Sequence, residues 1–314
     1  MKCSMNKSEW LAFWIAIGTV FLSGASSAES GPPLWTLSDD DNTVYLFGTF
    51  HLLPEGANWQ NKIVMEAMQQ ASITVTEADT LSPEAMAGMQ ALVAQYGLNA
   101  PGTTLSQVLG EERAANLFEI ATSYGIPSAM LEPLKPWLAL LSVTQAAYAA
   151  NGLNPELGVE KILLGMAVAQ GDDIEYLETV ERQIQALAAL DGEIANDFVD
   201  VSVAEFAELQ TQLKVGVDAW LAGDTATLDD SLLSAVRNES PIAFEQIFVK
   251  RNSEWIERIT AYLDGDEDTF IAVGTGHLVG ESSVIDMLEA KGFEPVRVQY
   301  GPGDAETADH GHRH

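Results

Sequence analysis

The chain has 314 residues, of which 47% are hydrophobic, and its 46 acidic residues outnumber 15 basic ones to give a net charge of −31. A surface with this charge repels phosphate backbones, which argues against nucleic acid as a partner. The hydrophobic fraction is large enough to form a sizeable core.

Residues 1–28 have the pattern of a cleavable signal peptide. Two lysines precede an apolar run over 10–22, and a Ser-Ser-Ala sequence ending at Ala28 offers a small-residue cleavage site. The run is too short for a comfortable membrane span. We expect cleavage after Ala28, a periplasmic or secreted protein and no stable membrane anchor; a retained N-terminal anchor is the rival interpretation. Cleavage removes Cys3, the only cysteine, so no disulfide is expected.

The rest of the chain is predicted to be one domain over 29–300, followed by a disordered, acidic, histidine-containing tail over 301–314. β-branched and aromatic residues between turn signals predict strands over 34–37, 43–50, 73–77, 174–178, 269–274 and 294–299. Apolar residues recur at helical spacing over 82–170 and 179–263. The predicted fold class is therefore α/β, of mixed α+β type, with a large helical subdomain over about 82–263 inserted between strand-rich ends.

A five-residue motif, Gly-Thr-x-His-Leu, occurs twice, in "YLFGTFHL" over 45–52 and in "FIAVGTGHLVG" over 270–280. Each copy ends an apolar strand and is followed by a loop, an amphipathic helix and another strand. A connection of this length predicts a right-handed crossover between parallel neighbours in a central sheet. Two strand-helix-strand units would then build the sheet and deliver one histidine each to a common cleft.

Four candidate site residues fall at, or just past, the carboxyl end of a predicted strand: His51, Glu77, Glu178 and His277. In sheets of this kind the ligand crevice lies outside the carboxyl ends of the strands. Two imidazoles and a carboxylate are suitable ligands for a divalent transition metal that activates water for hydrolysis.

Three further roles follow from this hypothesis. Glu178 is a candidate general base. Arg251 is a candidate for stabilising developing negative charge, with Asn252 as a neighbouring donor.

Each candidate also has an interpretation without function. A histidine after a strand can be a hydrogen-bonded turn residue, and Glu77 can be an ordinary solvated strand end. Glu178 can cap the helix that is predicted to begin near Thr179. Arg251 can pair with an acidic neighbour on a helix surface.

Other catalytic motifs are missing from the sequence. It contains no HExxH, P-loop or GxGxxG, and no GxSxG in a strand-to-helix context. The alternating His310, His312 and His314 of the tail can chelate metal, although a solvated tail is the simpler interpretation.

The succession of sequence blocks resembles the TraB/GumN family, which includes the Tiki proteases of animals, and is most similar to its bacterial GumN-like branch. The resemblance extends over about 35–298, through "VYLFGTFHLLPEGANW", "ITVTEAD", "LKPWLA", "GLNPELGVEKILL", "YLETVERQ", "RNSEWIERI" and "FIAVGTGHLVG". It implies a metal-dependent hydrolase, with peptide cleavage as the activity common to its characterised branches.

The resemblance also implies site residues, carried over position by position. His51, Glu77 and His277 are the implied metal ligands, and Glu178 and Arg251 are further site residues. Zinc, manganese, cobalt and iron suit such ligands equally. The expected partner is a peptide or small-molecule substrate. A haem- or metal-binding protein without hydrolytic activity is the alternative function.

Overall fold

A computed structural model describes residues 31–80, 82–206 and 208–301. The predicted signal peptide and tail residues 302–314 lie outside these residues, so both stay predictions. The described residues form strands β1 to β8, which are Leu34–Ser38, Thr43–Thr49, Leu53–Pro54, Ile73–Thr76, Leu153–Asn154, Asp173–Tyr176, Thr269–Gly274 and Val296–Arg297.

The α-helices lie mainly in the middle of the chain. In chain order, α1 to α14 are Lys62–Gln70, Pro83–Gly97, Leu105–Leu109, Glu111–Ser123, Ser128–Leu131, Pro136–Ala150, Val159–Gln170, Val180–Ala188, Ala195–Glu205, Leu209–Ala222, Thr225–Glu239, Pro241–Phe244, Lys250–Leu263 and Val284–Ala290. Among the described residues, no helix combines the length and the apolar character that a membrane crossing needs.

Six strands form one sheet in the order β6-β4-β7-β2-β1-β8. β6, β4, β7 and β2 run parallel to one another, whereas β1 is antiparallel to both β2 and β8. β7 lies in the centre, and five of its six residues are buried because helices cover both faces of the parallel part. The mixed α/β class predicted from the sequence is confirmed.

All six predicted strands are present, and β7 has the predicted bounds. The last strand is shorter than predicted, because only Val296 and Arg297 pair with β1. Two short strands were not predicted: β3 and β5 pair with each other outside the main sheet. Two-residue strands are too short to produce an alternating pattern that sequence inspection can detect.

The predicted adjacency of the strands was wrong. β2 and β4 are joined through α1, yet β7 lies between them, and β7 and β8 are separated by β2 and β1. The two crossovers skip strand positions because the strands within a unit do not pair with each other; β7 of the second unit pairs with both β2 and β4 of the first. As a result, the two strands that end in the histidine motifs are direct neighbours.

The helical segments divide the hydrophobic core. The largest cluster surrounds the sheet and contains side chains of α1, α7, α10, α13 and α14. A second cluster lies between α3, α4, α5, α6 and α9, and a third between α2, α6 and α8. Some of the helices between β4 and β7 therefore have cores of their own, while α7, α10 and α13 pack into the core around the sheet and β6 returns the chain to the sheet. The proposed boundaries of this insertion stay a prediction.

Candidate active site

The register of β2 and β7 brings the two histidine motifs together. Thr49 pairs with Gly274, so both strands end side by side. His51 follows β2 by two residues, and His277 ends a 3-10 turn, Thr275–His277, that directly follows β7. Thr275 secures the junction, because its hydroxyl donates to the carbonyl of Thr49 at 2.9 Å. Both imidazoles therefore lie at the same edge of the sheet.

His51 is held by a carboxylate from α7. Its Nδ1 lies 2.9 Å from Oε1 of Glu160, whose carboxylate also accepts a hydrogen bond from Thr49. The helix docks closely, since the Val159 N–H donates to the Phe50 carbonyl at 3.0 Å. A Cβ added to Gly158 would lie only 2.3 Å from the His51 carbonyl oxygen. Glycine at this position is therefore what lets α7 approach the histidine loop.

The His51 side chain is 63% exposed, and the surface it exposes faces a cavity in the protein. The charge of Glu160 raises the pKa of His51 to about 9, against the opposing effect of burial. Its Nδ1 is occupied by Glu160, which leaves Nε2 as the atom that can bind a ligand in the cavity.

His277 is fixed more tightly. Its Nδ1 lies 2.6 Å from Oδ1 of Asn252, whose Nδ2 donates to the Ser282 carbonyl at 2.9 Å. Its ring packs against Trp255 and Phe248, with centroid distances of 4.5 and 5.1 Å. Burial lowers the pKa of His277 to about 3, so the ring is neutral. Because Oδ1 can only accept, Nδ1 carries the proton and Nε2 is an acceptor.

Glu77 directly follows β4 and is buried beside both histidines. Its Oε1 accepts from the Gly274 N–H at 2.8 Å, and its Oε2 accepts from Gln183 at 2.9 Å and from Arg251 at 2.6 Å. Burial raises the pKa of Glu77, but the neighbouring imidazoles and the guanidinium outweigh it and lower the pKa to about 2. Glu77 is therefore an ionised carboxylate and not a solvated strand end.

Arg251 links the site together. Its Nη1 lies 3.0 Å from Nε2 of His277 and 3.1 Å from the Ile247 carbonyl, and its Nη2 donates to Glu77 and Glu178. A π-helical turn, Glu245–Val249, directly precedes α13 and contains the accepting carbonyl. Such turns leave backbone carbonyls free for other donors, and they are frequent at functional sites.

The carboxylate of Glu178 is bound to Arg251. Its two oxygens accept from Nε of Arg251 at 2.9 and 3.2 Å, and Oε1 also accepts from Nη2 at 2.6 Å. Burial raises the pKa of Glu178, and Arg251 counteracts the effect. All five N–H groups of Arg251 are therefore engaged. The general-base role of Glu178 stays a prediction, but its contacts favour a role in positioning Arg251.

The charges around the two histidines do not balance. The site contains three carboxylates, from Glu77, Glu160 and Glu178, and one guanidinium, that of Arg251, which leaves a net charge of −2 before His51 is counted. A proton on His51 offsets part of this charge, and a bound cation would offset more.

A family model matches residues 33–297 and is described as the TraB/PrgY/gumN family. The chain belongs to this family. No match was found among curated proteins. The match covers both histidine motifs, the carboxylates and Arg251 of this family member, so the resemblance seen in the sequence is confirmed over most of the chain.

The three predicted metal ligands of this family member surround one small space. A Cβ built on Gly274 would lie 3.2 Å from Oε1 of Glu77, 3.7 Å from Nε2 of His51 and 3.7 Å from Cδ2 of His277. Both rings have Nδ1 bound to a side-chain oxygen, which is the usual support for a metal-binding histidine. The types of donor and the negative charge suit a divalent transition metal.

One contact conflicts with metal binding. The single Nε2 lone pair of His277 accepts from Arg251, and it cannot serve a metal at the same time. In agreement with this, no three His, Cys, Asp or Glu side chains in the described part of the chain are already arranged around a metal position. The donors suit a metal in type, but Nε2 of His277 can bind one only after its contact with Arg251 is exchanged.

Sequence inspection missed two of the residues that build the site. Glu160 and Gln183 contact His51 and Glu77, and both lie more than a hundred residues from these partners. Each falls in a segment that resembles a family block, but nothing in the local pattern distinguished it from other polar residues on a helix. Five of the six predicted residues lie in one contact network, in which Asn252 orients His277. His51 is held separately by Glu160 and borders the same space beside Gly274.

Proposed function

We propose that this chain is an exported, metal-dependent hydrolase that cleaves peptides. The observation that carries the proposal is the arrangement of the two imidazoles, whose Nδ1 atoms are held by Glu160 and Asn252 while both rings border the same space beside Gly274. Side chains that hold the Nδ1 atoms of imidazoles in fixed orientations are typical supports of a metal site. Export rests on the signal-peptide pattern of residues 1–28.

In this proposal His51, Glu77 and His277 hold the metal. When bound there, a divalent transition metal supplies a Lewis acid and a water of lowered pKa. Glu77 is suited to this role because it is ionised and fixed by the Gly274 N–H.

Arg251 supplies positive charge at the cavity wall, where a substrate carbonyl gains negative charge as it is attacked. Each of its N–H groups already has an acceptor, so it can donate to substrate only by exchanging one. The contact with His277 is the one that metal binding also breaks. Metal binding would therefore free this N–H of Arg251, which could then donate a hydrogen bond to the substrate.

The first test is elemental analysis of the full chain. The three tail histidines are replaced by Asn in every sample, so that metal held by the tail does not contribute. Near-stoichiometric zinc, manganese or cobalt is expected in this protein and is expected to be lost in both His51→Ala and His277→Ala. Gln212→Ala, which replaces a polar residue elsewhere in the cavity wall, is the matched control and should retain the metal.

The second test is hydrolysis of a quenched fluorescent peptide panel by the metal-loaded protein. Cleavage that is lost in His51→Ala and retained in Glu119→Gln, an exposed position on α4 outside the cavity, supports the proposal. A protein that stays free of metal after incubation with all three ions overturns it. A haem Soret band that survives purification, without hydrolysis, would instead identify a binding protein.

A further inference from the structure

The cavity that His51 faces extends far beyond the polar site. Its volume is about 540 Å³, within the range of about 300–1,000 Å³ typical of ligand pockets. Most of its wall comes from the helices between β4 and β7, and large apolar side chains predominate there. Examples are Trp137, Leu140, Leu187, Leu190, Phe198 and Phe206. A ligand that fills this cavity therefore has a large apolar part in addition to the bond that is cleaved beside the histidines.

Polar groups interrupt this apolar wall at intervals. Thr144 and Tyr148 lie one turn apart on α6, and Ser202 and Gln212 contribute from α9 and α10. A plain acyl chain has no group that can hydrogen-bond to hydroxyl and amide side chains. The amides of a peptide backbone can both donate and accept such hydrogen bonds. The wall is therefore better matched to an apolar peptide than to a fatty acyl group.

Glu205, the last residue of α9, gives one side of the cavity a negative charge. Together with Asp230, it also lines a second groove of about 320 Å³. The four site residues that line the cavity are His51, Glu77, Arg251 and His277, and none of them borders this groove. Burial and the charge of Glu239 both raise the pKa of the Glu205 carboxyl. Among the described residues that line either space, Arg251 is the only Lys or Arg. This side of the cavity therefore attracts a cation.

We propose that the substrate of this site is a cationic, apolar peptide. Its large aliphatic or aromatic residues lie against the helical wall, and a Lys or Arg lies beside Glu205, while the bond to be cleaved lies at the histidines. This assignment rests on the proposed hydrolase function for its reaction, but the binding that it predicts can be measured without catalysis.

The test uses fluorescence anisotropy with labelled peptides and the full chain, with EDTA and again with added zinc. One probe is a hexapeptide of Leu and Phe that ends in Lys-amide. A second ends in Glu-amide, and a third has Ser in place of the apolar residues. Dodecanoate serves as a competing acyl anion. The Lys peptide is expected to bind at least about tenfold more tightly than either other peptide, because charge and apolar burial both favour it.

Two variants locate the binding. Glu205→Gln is expected to abolish the preference for Lys over Glu, and Leu232→Arg, in the cavity wall on α11, is expected to weaken binding of the Lys peptide about tenfold or more. Glu119→Gln on α4 and Ile242→Arg on α12 are the matched controls, since both residues are exposed and Ile242 is 54% exposed. Equal thermal unfolding of Leu232→Arg and Ile242→Arg shows that the first variant is folded.

The outcomes separate the two proposals. Selective binding without cleavage supports the ligand class and overturns the hydrolase function. Cleavage that ignores apolar content and peptide charge supports the hydrolase function and overturns this inference. Equal binding of the Ser peptide, tighter binding of the Glu peptide, or displacement by dodecanoate at lower concentration than by unlabelled Lys peptide also overturns it.

Discussion

The two histidines end nearly identical sequences but have opposite surroundings. The His51 side chain is 63% exposed toward the cavity and has one side-chain partner, Glu160, whereas that of His277 is 5% exposed and touches Asn252, Arg251 and two aromatic rings. The two rings also differ in protonation, because the pKa of His51 is raised to about 9 and that of His277 is lowered to about 3.

This difference shows that a repeated motif fixes where a histidine lies, while the elements packed around it decide its chemistry. α7 carries a carboxylate to the first motif, and α13 carries an amide and a guanidinium to the second. In this structure Nε2 of His51 is therefore available to a ligand, whereas Nε2 of His277 is occupied by Arg251. The predictions below test this asymmetry.

The largest effect is expected from Arg251→Met. The substitution leaves the buried carboxylates of Glu77 and Glu178 without their cation, and breaking a buried pair in this way costs about 3–5 kcal/mol. The free energy of unfolding, measured in urea on metal-free protein, should fall by this amount.

A surface arginine provides the control for that experiment. Arg182 pairs with Glu254, whose side chain is 52% exposed, so Arg182→Met should lower the free energy of unfolding by less than about 1 kcal/mol. Similar small losses in both variants would show that the Arg251 network contributes little to stability.

The two imidazoles should titrate far apart in metal-free protein. By NMR, His51 is expected to lose its proton near pH 9 and His277 to remain neutral down to about pH 3. The stabilisation that comes from pairing His51 with Glu160 is complete below the ordinary histidine pKa of about 6.5 and is lost as the pH rises through about 9.

Glu160→Gln removes the charge that raises the pKa of His51. Its titration should move down toward the ordinary range, while that of His277 stays unchanged, because Glu160 contacts only the first ring. If both rings of the unsubstituted protein titrate together near pH 6.5, the described asymmetry is wrong.

Asn252→Ala should lower stability by about 1–3 kcal/mol. It leaves the Nδ1–H of His277 and the carbonyl of Ser282 without partners. Urea unfolding gives the change, and Asn252→Asp, which retains an acceptor for Nδ1, should lose less. The hypothesis that Asn252 orients the ring fails if the two variants are equally stable.

The smallest effect is expected at Ser282, which supports Asn252. Its φ is 60°, in the left-handed region that a side chain disfavours. Ser282→Gly should therefore leave stability unchanged or raise it by up to about 1 kcal/mol in thermal unfolding. A loss greater than about 1 kcal/mol would indicate that the serine side chain is needed here.

Sequence patterns were sufficient to predict the strands of the main sheet but not the order of those strands. The apolar runs predicted all six strands of the main sheet, because hydrophobic content and strand propensity are local properties. Strand order was missed, since the insertion of β7 between β2 and β4 depends on pairing between segments that lie about 200 residues apart.

For the candidate site, the sequence by itself determined the carboxyl-terminal positions of His51, Glu77 and His277, because these residues lie within three residues of the ends of recognisable strands. The tertiary structure alone decided what surrounds them. Glu160 reaches His51 only because α7 docks at Gly158, and Arg251 reaches three partners only because α13 packs across the strand ends. Such contacts join distant parts of the chain, and it is these contacts that set charge, protonation and access to the cavity.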